Sequence, residues 1–145
     1  MSSRAIEQAI REIEAAPRGP GLAAIFDFDG TLIPGYSELA WIRQRLRDGE
    51  LGFAELARTV ELAAGLALGT LARHDLILQG LRGWKGRRVA AMDRLADRIF
   101  AQAIEPEIFP EMRAIVEAHR RMGHTLVLAT SATRFQAGPA ARHLG

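Results

Sequence analysis

The sequence predicts an α/β protein that is mostly helical by residue count, with a parallel-sheet core of two strands and a large all-helical insertion between them. Three observations carry this. Two short apolar runs, Leu22–Phe26 (LAAIF) and Thr125–Ala129 (TLVLA), each end in polar residues, the pattern of buried strands. The chain from Glu38 to about Ala103 has helical periodicity almost throughout. A helical segment that stops at Gly123 then leads straight into the second run, the helix-then-strand order of a parallel crossover.

A chain of 145 residues with 48% apolar content is enough for one ordinary domain with a real core. Its 19 basic and 17 acidic residues leave a net charge of +2 and alternate along the chain, which describes a solvated helical surface and argues against a nucleic-acid stripe. The pI of 9.9 reflects arginines, since Lys85 is the only lysine. With no cysteine there are no disulfides, thiolate chemistry or cysteine–zinc clusters. The N-terminus carries Arg4, Glu7, Arg11, Glu12 and Glu14 and lacks a signal-peptide core, which predicts a cytoplasmic location.

Residues Ser2 to Ala16 place Ile6, Ile10 and Ile13 at helical spacing, with a helix start at Ser2 or Ser3. Pro17–Gly21 (PRGPG) stops this helix, so residues 1–21 form a helix and linker that pack on the domain or a partner rather than on membrane. After the first strand, Ile33–Ser37 (IPGYS) reads as a loop. Leu39, Ile42 and Leu46 make one apolar helical face. Phe53, Leu56, Val60 and Ala64 make a second, continuing through Leu66 and Leu68; a third segment runs from Leu71 to Leu81. A fourth carries Val89, Met92, Leu95, Ile99 and Ala103, and glycines at 49, 69, 83 and 86 punctuate the set. The most apolar stretch, Leu62–Ala72, is far short of the ~20 residues of a membrane span. It is expected in the core, the alternative being an apolar wall that faces substrate or a membrane surface. Pro106 and Pro110 mark the return, followed by a helix through Met112, Ile115, Val116 and His119, the second strand, and a helix over Phe135–Leu144. The expected organisation is a core of residues 22–35 and 106–145 with a helical unit of residues 36–105 inserted.

Chemistry concentrates at the C-terminal ends of the two strands, where the connections of an open α/β sheet part and ligands bind. Asp27 and Asp29 have period-two spacing and can address one site. Two carboxylates so close repel each other unless a cation or shared proton intervenes, which points to a hard metal such as Mg2+. Gly30 lets backbone approach a ligand and Thr31 adds a hydroxyl. The other reading of this stretch is a strand-to-loop turn with Asp at capping positions. At the second strand, Thr130, Ser131, Ala132 and Thr133 put hydroxyls and backbone amides where a helix begins, which is either a phosphate cradle or a plain N-cap.

The stretch DFDGTL after an apolar strand resembles the first motif of the haloacid dehalogenase superfamily of phosphohydrolases, and LVLATSAT resembles its second. The resemblance implies a Rossmann-like core with a helical type I cap, here the inserted helices, and a Mg2+-dependent phosphatase acting through an aspartyl phosphate. It makes Asp27 the nucleophile and Asp29 the acid/base, with Asp27 and Asp29 also holding the metal, and it assigns phosphate binding to Thr130, with Ser131 as runner-up, beside Gly30 and Thr31. The cap arrangement and the segment HTLVLATSATRFQAGPAARHLG resemble subclass IB, the phosphoserine-phosphatase-like branch. The chain also resembles the phosphatase-like N-terminal domain of bacterial proteins that fuse it to a 1-acylglycerol-3-phosphate acyltransferase. That likeness implies a downstream acyltransferase domain or remaining core segment as partner, and with the fusion a peripheral membrane location.

The family also needs a third-motif lysine and fourth-motif acids after Thr130, and residues 131–145 contain no Lys, Asp or Glu. The chain therefore resembles a member that stops after its second motif, expected to be weak or inactive alone, with open sheet edges that make it dependent on a partner. The alternative function is a catalytically incomplete phosphate-binding or regulatory module. Tyr36 stands where phosphoserine phosphatases carry an acid that meets the substrate ammonium, which argues for some other small phosphorylated metabolite. Lys85, Arg87 and Arg88 are speculative contacts to it, against the alternative of plain surface charge. His119 and His124, five apart, fall on different sides of a helix and argue against a zinc pair. No Walker loop, GxSxG elbow or HExxH is present.

Overall fold

In the computed structural model, which describes residues 3–49, 52–68 and 84–145, strand β1 (Ala23–Phe26) pairs in parallel with β2 (Thr125–Leu128). The register runs Ala23↔Thr125 to Phe26↔Leu128, and the ladder extends one step further at each end, from Thr125 N–H to Leu22 O and from Ala129 N–H to Phe26 O. Both strands lie where the apolar runs predict, each shorter by one residue.

The helices follow in chain order: α1 (Ser3–Ala15), α2 (Ser37–Arg47), α3 (Phe53–Ala67), α4 (Val89–Ile99), α5 (Pro110–Met122) and α6 (Arg134–Leu144). A π-helical turn, Phe100–Ile104, and a short 3-10 turn, Glu105–Glu107, continue α4 toward the core. Pro110 opens α5, where its missing N–H costs no hydrogen bond. Gly123 closes α5 in the left-handed conformation, φ 72°, and His124 N–H turns back to His119 O.

Alternation decides which face of the sheet is buried. Ala24 and Phe26 point into the core and Phe28, beyond the strand, is 0% exposed, while Ile25 is 69% exposed. The buried side joins a cluster with Leu32, Trp41, Met92, Leu95, Ile99, Ile104, Val116 and Ala140, with Leu126 and Leu128 half-buried against it. Charge pairs tie the helices around it: Arg134 to Asp93 (3.3 Å) and Arg142 to Asp97 (2.5 Å) join α6 to α4, and Arg98 to Asp48 (3.0 Å) joins α4 to the end of α2. These pairs are exposed, so they set register more than stability.

The structure revises three expectations for the insertion. On α2 the buried residues are Ser37, Trp41, Gln44 and Arg45, whereas Leu39 and Leu46 are exposed. Apolar counting selects the wrong face because a tertiary hydrogen bond at Ser37, described below, fixes the rotation of the helix. On α3, Phe53 (89%) and Val60 are exposed, so the second apolar face is not part of the described core. On α4, Met92, Leu95 and Ile99 are buried as predicted but Val89 is exposed. The third predicted segment, Leu71–Leu81, lies outside the described residues, as do residues 69–72 of the apolar stretch Leu62–Ala72.

At the opposite end of the sheet from the aspartates, α1 packs on α5 with an Arg121–Glu14 pair (2.9 Å), and the linker is pinned by Gly19 N–H to Met122 O and Thr125 Oγ1 to Pro20 O. Here His119 and His124 meet, with Nδ1 atoms 2.8 Å apart. The spacing argument that separated them assumes one continuous helix, and the turn at Gly123 ends it between them. His124 Nε2 lies 2.9 Å from Pro17 O, a pure acceptor, so that nitrogen carries the proton. Neutral His124 Nδ1 is then an acceptor, and His119 Nδ1–H donates to it.

The pKa of His119 is lowered from 6.5, by burial first and by the neighbouring His124 second. The unfolded chain takes up this proton at a higher pH than the folded one does, so the contribution to stability is present above 6.5 and is lost as the pH falls below it. Thermal midpoints recorded from about pH 7 to about pH 5.5 should decline, and His119→Gln should flatten the decline. An identical pH dependence in the two proteins would contradict this.

Candidate functional site

The loop from Asp27 to Ser37 is built around Phe28, which separates the two aspartates. Its buried ring anchors the loop, and its carbonyl accepts the N–H groups of Thr31 (3.4 Å), Leu32 (3.0 Å) and Ile33 (3.3 Å). Gly30 N–H donates to Ile33 O (2.9 Å), completing a tight reversal that needs φ 77° at Gly30. A Cβ built there meets nothing within 4 Å, so glycine is required by backbone conformation and not by crowding.

Asp27, immediately beyond β1, is exposed; its Oδ1 accepts the Phe28 N–H at 2.8 Å and its Oδ2 has no hydrogen-bond partner among the described residues. Asp29 is half-buried and held from a distance, Oδ1 accepting the Ser37 N–H at 2.7 Å. Leu32 O accepts the Phe109 N–H at 3.0 Å, so the chain leaving the loop for the helical insertion and the chain returning from it both bond to this loop.

Across the strand pair, Ala129 N–H bonds Phe26 O, which puts Asp27 and Thr130 just past the C-terminal ends of neighbouring parallel strands. Thr130 is half-buried and its Oγ1 accepts the Ala132 N–H at 3.0 Å; Ser131 is exposed. The helix cap is neither of these. Thr133 closes a capping box with Gln136, their side chains 2.7 Å apart and Gln136 Oε1 accepting the Thr133 N–H at 2.8 Å. Thr130 and Ser131 are therefore not needed as the N-cap of α6.

Thr31 is half-buried in the loop and Tyr36 is exposed at the N-cap of α2. Lys85, Arg87 and Arg88 are exposed. Arg87 and Arg88, with Arg94 and Arg98, line an open depression along α4 whose described walls do not include Asp27, Asp29 or Thr130. Sequence reasoning misses three features beside the site: the Ser37 N–H, the Phe109 N–H and an aromatic stack. In that stack Trp84 lies 5.3 Å from Trp41 of α2 and 5.6 Å from Phe135 of α6, with the Arg134 guanidinium 4.6 Å above Phe135. The two tryptophans are the only ones in the chain and both fall in arginine-rich helical or loop segments, a signal too general to locate a contact.

Two carboxylates and a hydroxyl thus sit at the ends of adjacent parallel strands, the first carboxylate followed two residues on by the second and then by glycine. Residues 24–145 match the family described as haloacid dehalogenase-like hydrolase. The chain belongs to this family. A haloacid dehalogenase-like hydrolase core is consistent with the parallel strand pair in a mostly helical chain. Among solved structures, the chain is similar to a protein of unknown function from Bordetella pertussis Tohama I, with a TM-score of 0.72 and 24% identity. The likeness covers 90% of this chain and 58% of that one, so this chain spans little more than half of its length. No curated protein sequence matches the chain.

Members of the family generally use Mg2+. The donors here are of the right kind, since Asp27 and Asp29 offer hard oxygens at one loop, but their number is short: among the described residues no three His, Cys, Asp or Glu side chains gather at a possible metal position. Water and substrate oxygens would have to complete the shell.

Gly30→Ala tests the loop geometry. With φ 77° and open space around the added methyl, the cost is backbone strain alone, about 1–2 kcal/mol. Urea unfolding should show that loss; a change within about 0.3 kcal/mol would mean that the loop relaxes without it.

Proposed function

We propose that this hydrolase chain supplies the nucleophilic half of a phosphomonoester phosphatase, with a small phosphorylated metabolite as substrate. The reading rests on one observation above the others: Asp27 and Thr130 lie just past the carboxyl ends of paired parallel strands, with Asp29 on the same loop as Asp27. On this reading Asp27 attacks phosphorus through the oxygen that the loop leaves unengaged. The P–O ester bond breaks, and Asp29 gives its proton to the departing alkoxide. Water then attacks the aspartyl phosphate, Asp29 takes a proton from it, and inorganic phosphate leaves with the Asp27 carboxylate restored. On the same reading the hydroxyl of Thr130, with Ser131 as the other hydroxyl, and the hydroxyl of Thr31 donate to phosphate oxygens, while Gly30 lets the loop come close to the phosphate. Mg2+, held by Asp27 and Asp29, would offset the negative charge that otherwise keeps a carboxylate from a phosphate.

Subclass IB, the cytoplasmic location, and a downstream acyltransferase or remaining core segment as partner belong to the same proposal. The helical insertion between the two motifs supports subclass IB; among the described residues no helix is long and apolar enough to cross a membrane. A second reading, phosphate binding without turnover, is favoured by the short supply of metal ligands among the described residues.

Steady-state hydrolysis of p-nitrophenyl phosphate with and without Mg2+ separates them. The phosphatase reading expects metal-dependent turnover that Asp27→Asn lowers by about 10³-fold or more, with a phosphorylated protein trapped by acid quench. Saturable phosphate binding with no turnover would support the second reading instead.

A further inference from the structure

We propose that Ser37, through its backbone N–H, is a positioning residue for Asp29, so that the first turn of α2 fixes the orientation of the second aspartate. The chemical consequence rests on the phosphatase reading, whereas the joint itself stands on geometry. Helix α2 has no cap of its own: Tyr36 at the N-cap position is extended (φ −123°, ψ 130°) and its side chain makes no capping bond. The first N–H groups of a helix need acceptors. Asp29, eight residues upstream, provides one, and its 2.7 Å bond to the Ser37 N–H is the only hydrogen bond of its carboxylate among the described residues.

The side chain of Ser37 does not make this contact. Ser37 is 0% exposed, and its Oγ has no hydrogen-bond partner, so the residue serves through its main chain. The bond also sets which face of α2 turns inward. Ser37, Trp41, Gln44 and Arg45 lie on one side at helical spacing and are all buried. Trp41 then meets Trp84, and Trp84 meets Phe135, the second residue of α6, just after the Thr130–Thr133 turn. A continuous path of contacts thus runs from the aspartate loop through α2 and the aromatic stack to the helix that follows the hydroxyl turn. The Phe109 N–H bond to Leu32 O grips the same loop from the returning chain. Rotation or lifting of α2 cannot occur without releasing Asp29.

Proline offers a test that removes the donor and little else. Ser37 is the first residue of α2, where proline is favoured, and Tyr36 already has the extended backbone that a residue before proline requires. Ser37→Pro, Ser37→Ala, Asp29→Ala and the Asp29→Ala/Ser37→Pro double variant would be compared by acrylamide quenching of tryptophan emission and by p-nitrophenyl phosphate kinetics. Trp41 and Trp84 are the only tryptophans and both belong to the stack, so quenching reads the joint directly. Ser37→Pro and Asp29→Ala should each raise the quenching constant about twofold, with no further rise in the double variant, and Ser37→Ala should match the unaltered chain. Ser37→Pro should lower kcat by about tenfold or more and leave KM within about twofold.

Quenching and kcat unchanged in Ser37→Pro would overturn the proposal, as would Ser37→Ala moving as far as Ser37→Pro. If circular dichroism shows Ser37→Pro unfolded, Asp29→Ala against Ser37→Ala decides by quenching, and an unmoved Asp29→Ala sinks the idea. Absence of turnover in the unaltered chain would count against the phosphatase reading alone, because the quenching comparison still judges the joint.

Discussion

Phe26 and Leu128 are partners in a parallel ladder, and a parallel ladder cannot be closed by a tight turn. Everything between the two strands has to leave the carboxyl end of β1, travel back and re-enter at the amino end of β2. The insertion spends most of that path in helices, and α5 makes the final return across the buried face of the sheet. The constraint puts both strand ends, and so both the aspartate loop and the hydroxyl turn, on one rim. It also makes the aspartate loop the place from which the insertion departs. The two aspartates and the departure point of the insertion therefore share one short stretch, Asp27 to Ser37.

The same pairing leaves the sheet asymmetric. One face is filled by Phe26, Phe28, Val116 and Ala140 with their neighbours, and the other presents Ile25 at 69% and Val127 at 38% exposure. Two strands are too narrow for alternation to hide both faces: each residue that points into the core sends its neighbour outward. The outward residues Ile25 and Val127 are apolar, as in a strand covered on both sides. The apolar runs that identify the strands so readily are thus not explained by the contacts among the described residues alone.

Signals carried by local chemistry are legible in this sequence. Gly123 stops α5, Pro110 starts it, and the two strands fall within one residue of their apolar runs, because each depends on the residues at hand. The aspartates and Thr130 are legible for the same reason: they sit at strand ends, and strand ends are local. Rotation of a helix about its axis is different. Leu39, Ile42 and Leu46 form a regular stripe, yet α2 buries Ser37, Trp41 and Gln44, because its first N–H is claimed by Asp29 and its far end by Gln44 and Asp48, whose partners are Gln102 and Arg98. His119 and His124 fail in another way: angular spacing on a helix has no meaning once a left-handed glycine stands between the two residues. In both cases the deciding contact is tertiary, and periodicity does not contain it.

The two aspartates differ by one residue in a period-two pattern and yet live in different settings. Asp27 is exposed and held only by the neighbouring amide of Phe28, a contact within its own loop that leaves one oxygen unengaged. Asp29 is half-buried and tied to a helix eight residues away. A group that must form and break a bond to phosphorus needs an accessible oxygen and room for the phosphoryl group to arrive and leave. A group that moves a proton between a leaving oxygen and a water needs a fixed direction more than it needs access. The distribution of hydrogen bonds matches that division, and Phe28 makes it possible: with its ring locked in the core and its carbonyl occupied by three amides, it holds the carboxylates on either side in separate environments. Two chemically identical side chains are set apart by what their main-chain neighbours are doing, and on the proposed reaction that is the difference between attack and proton transfer.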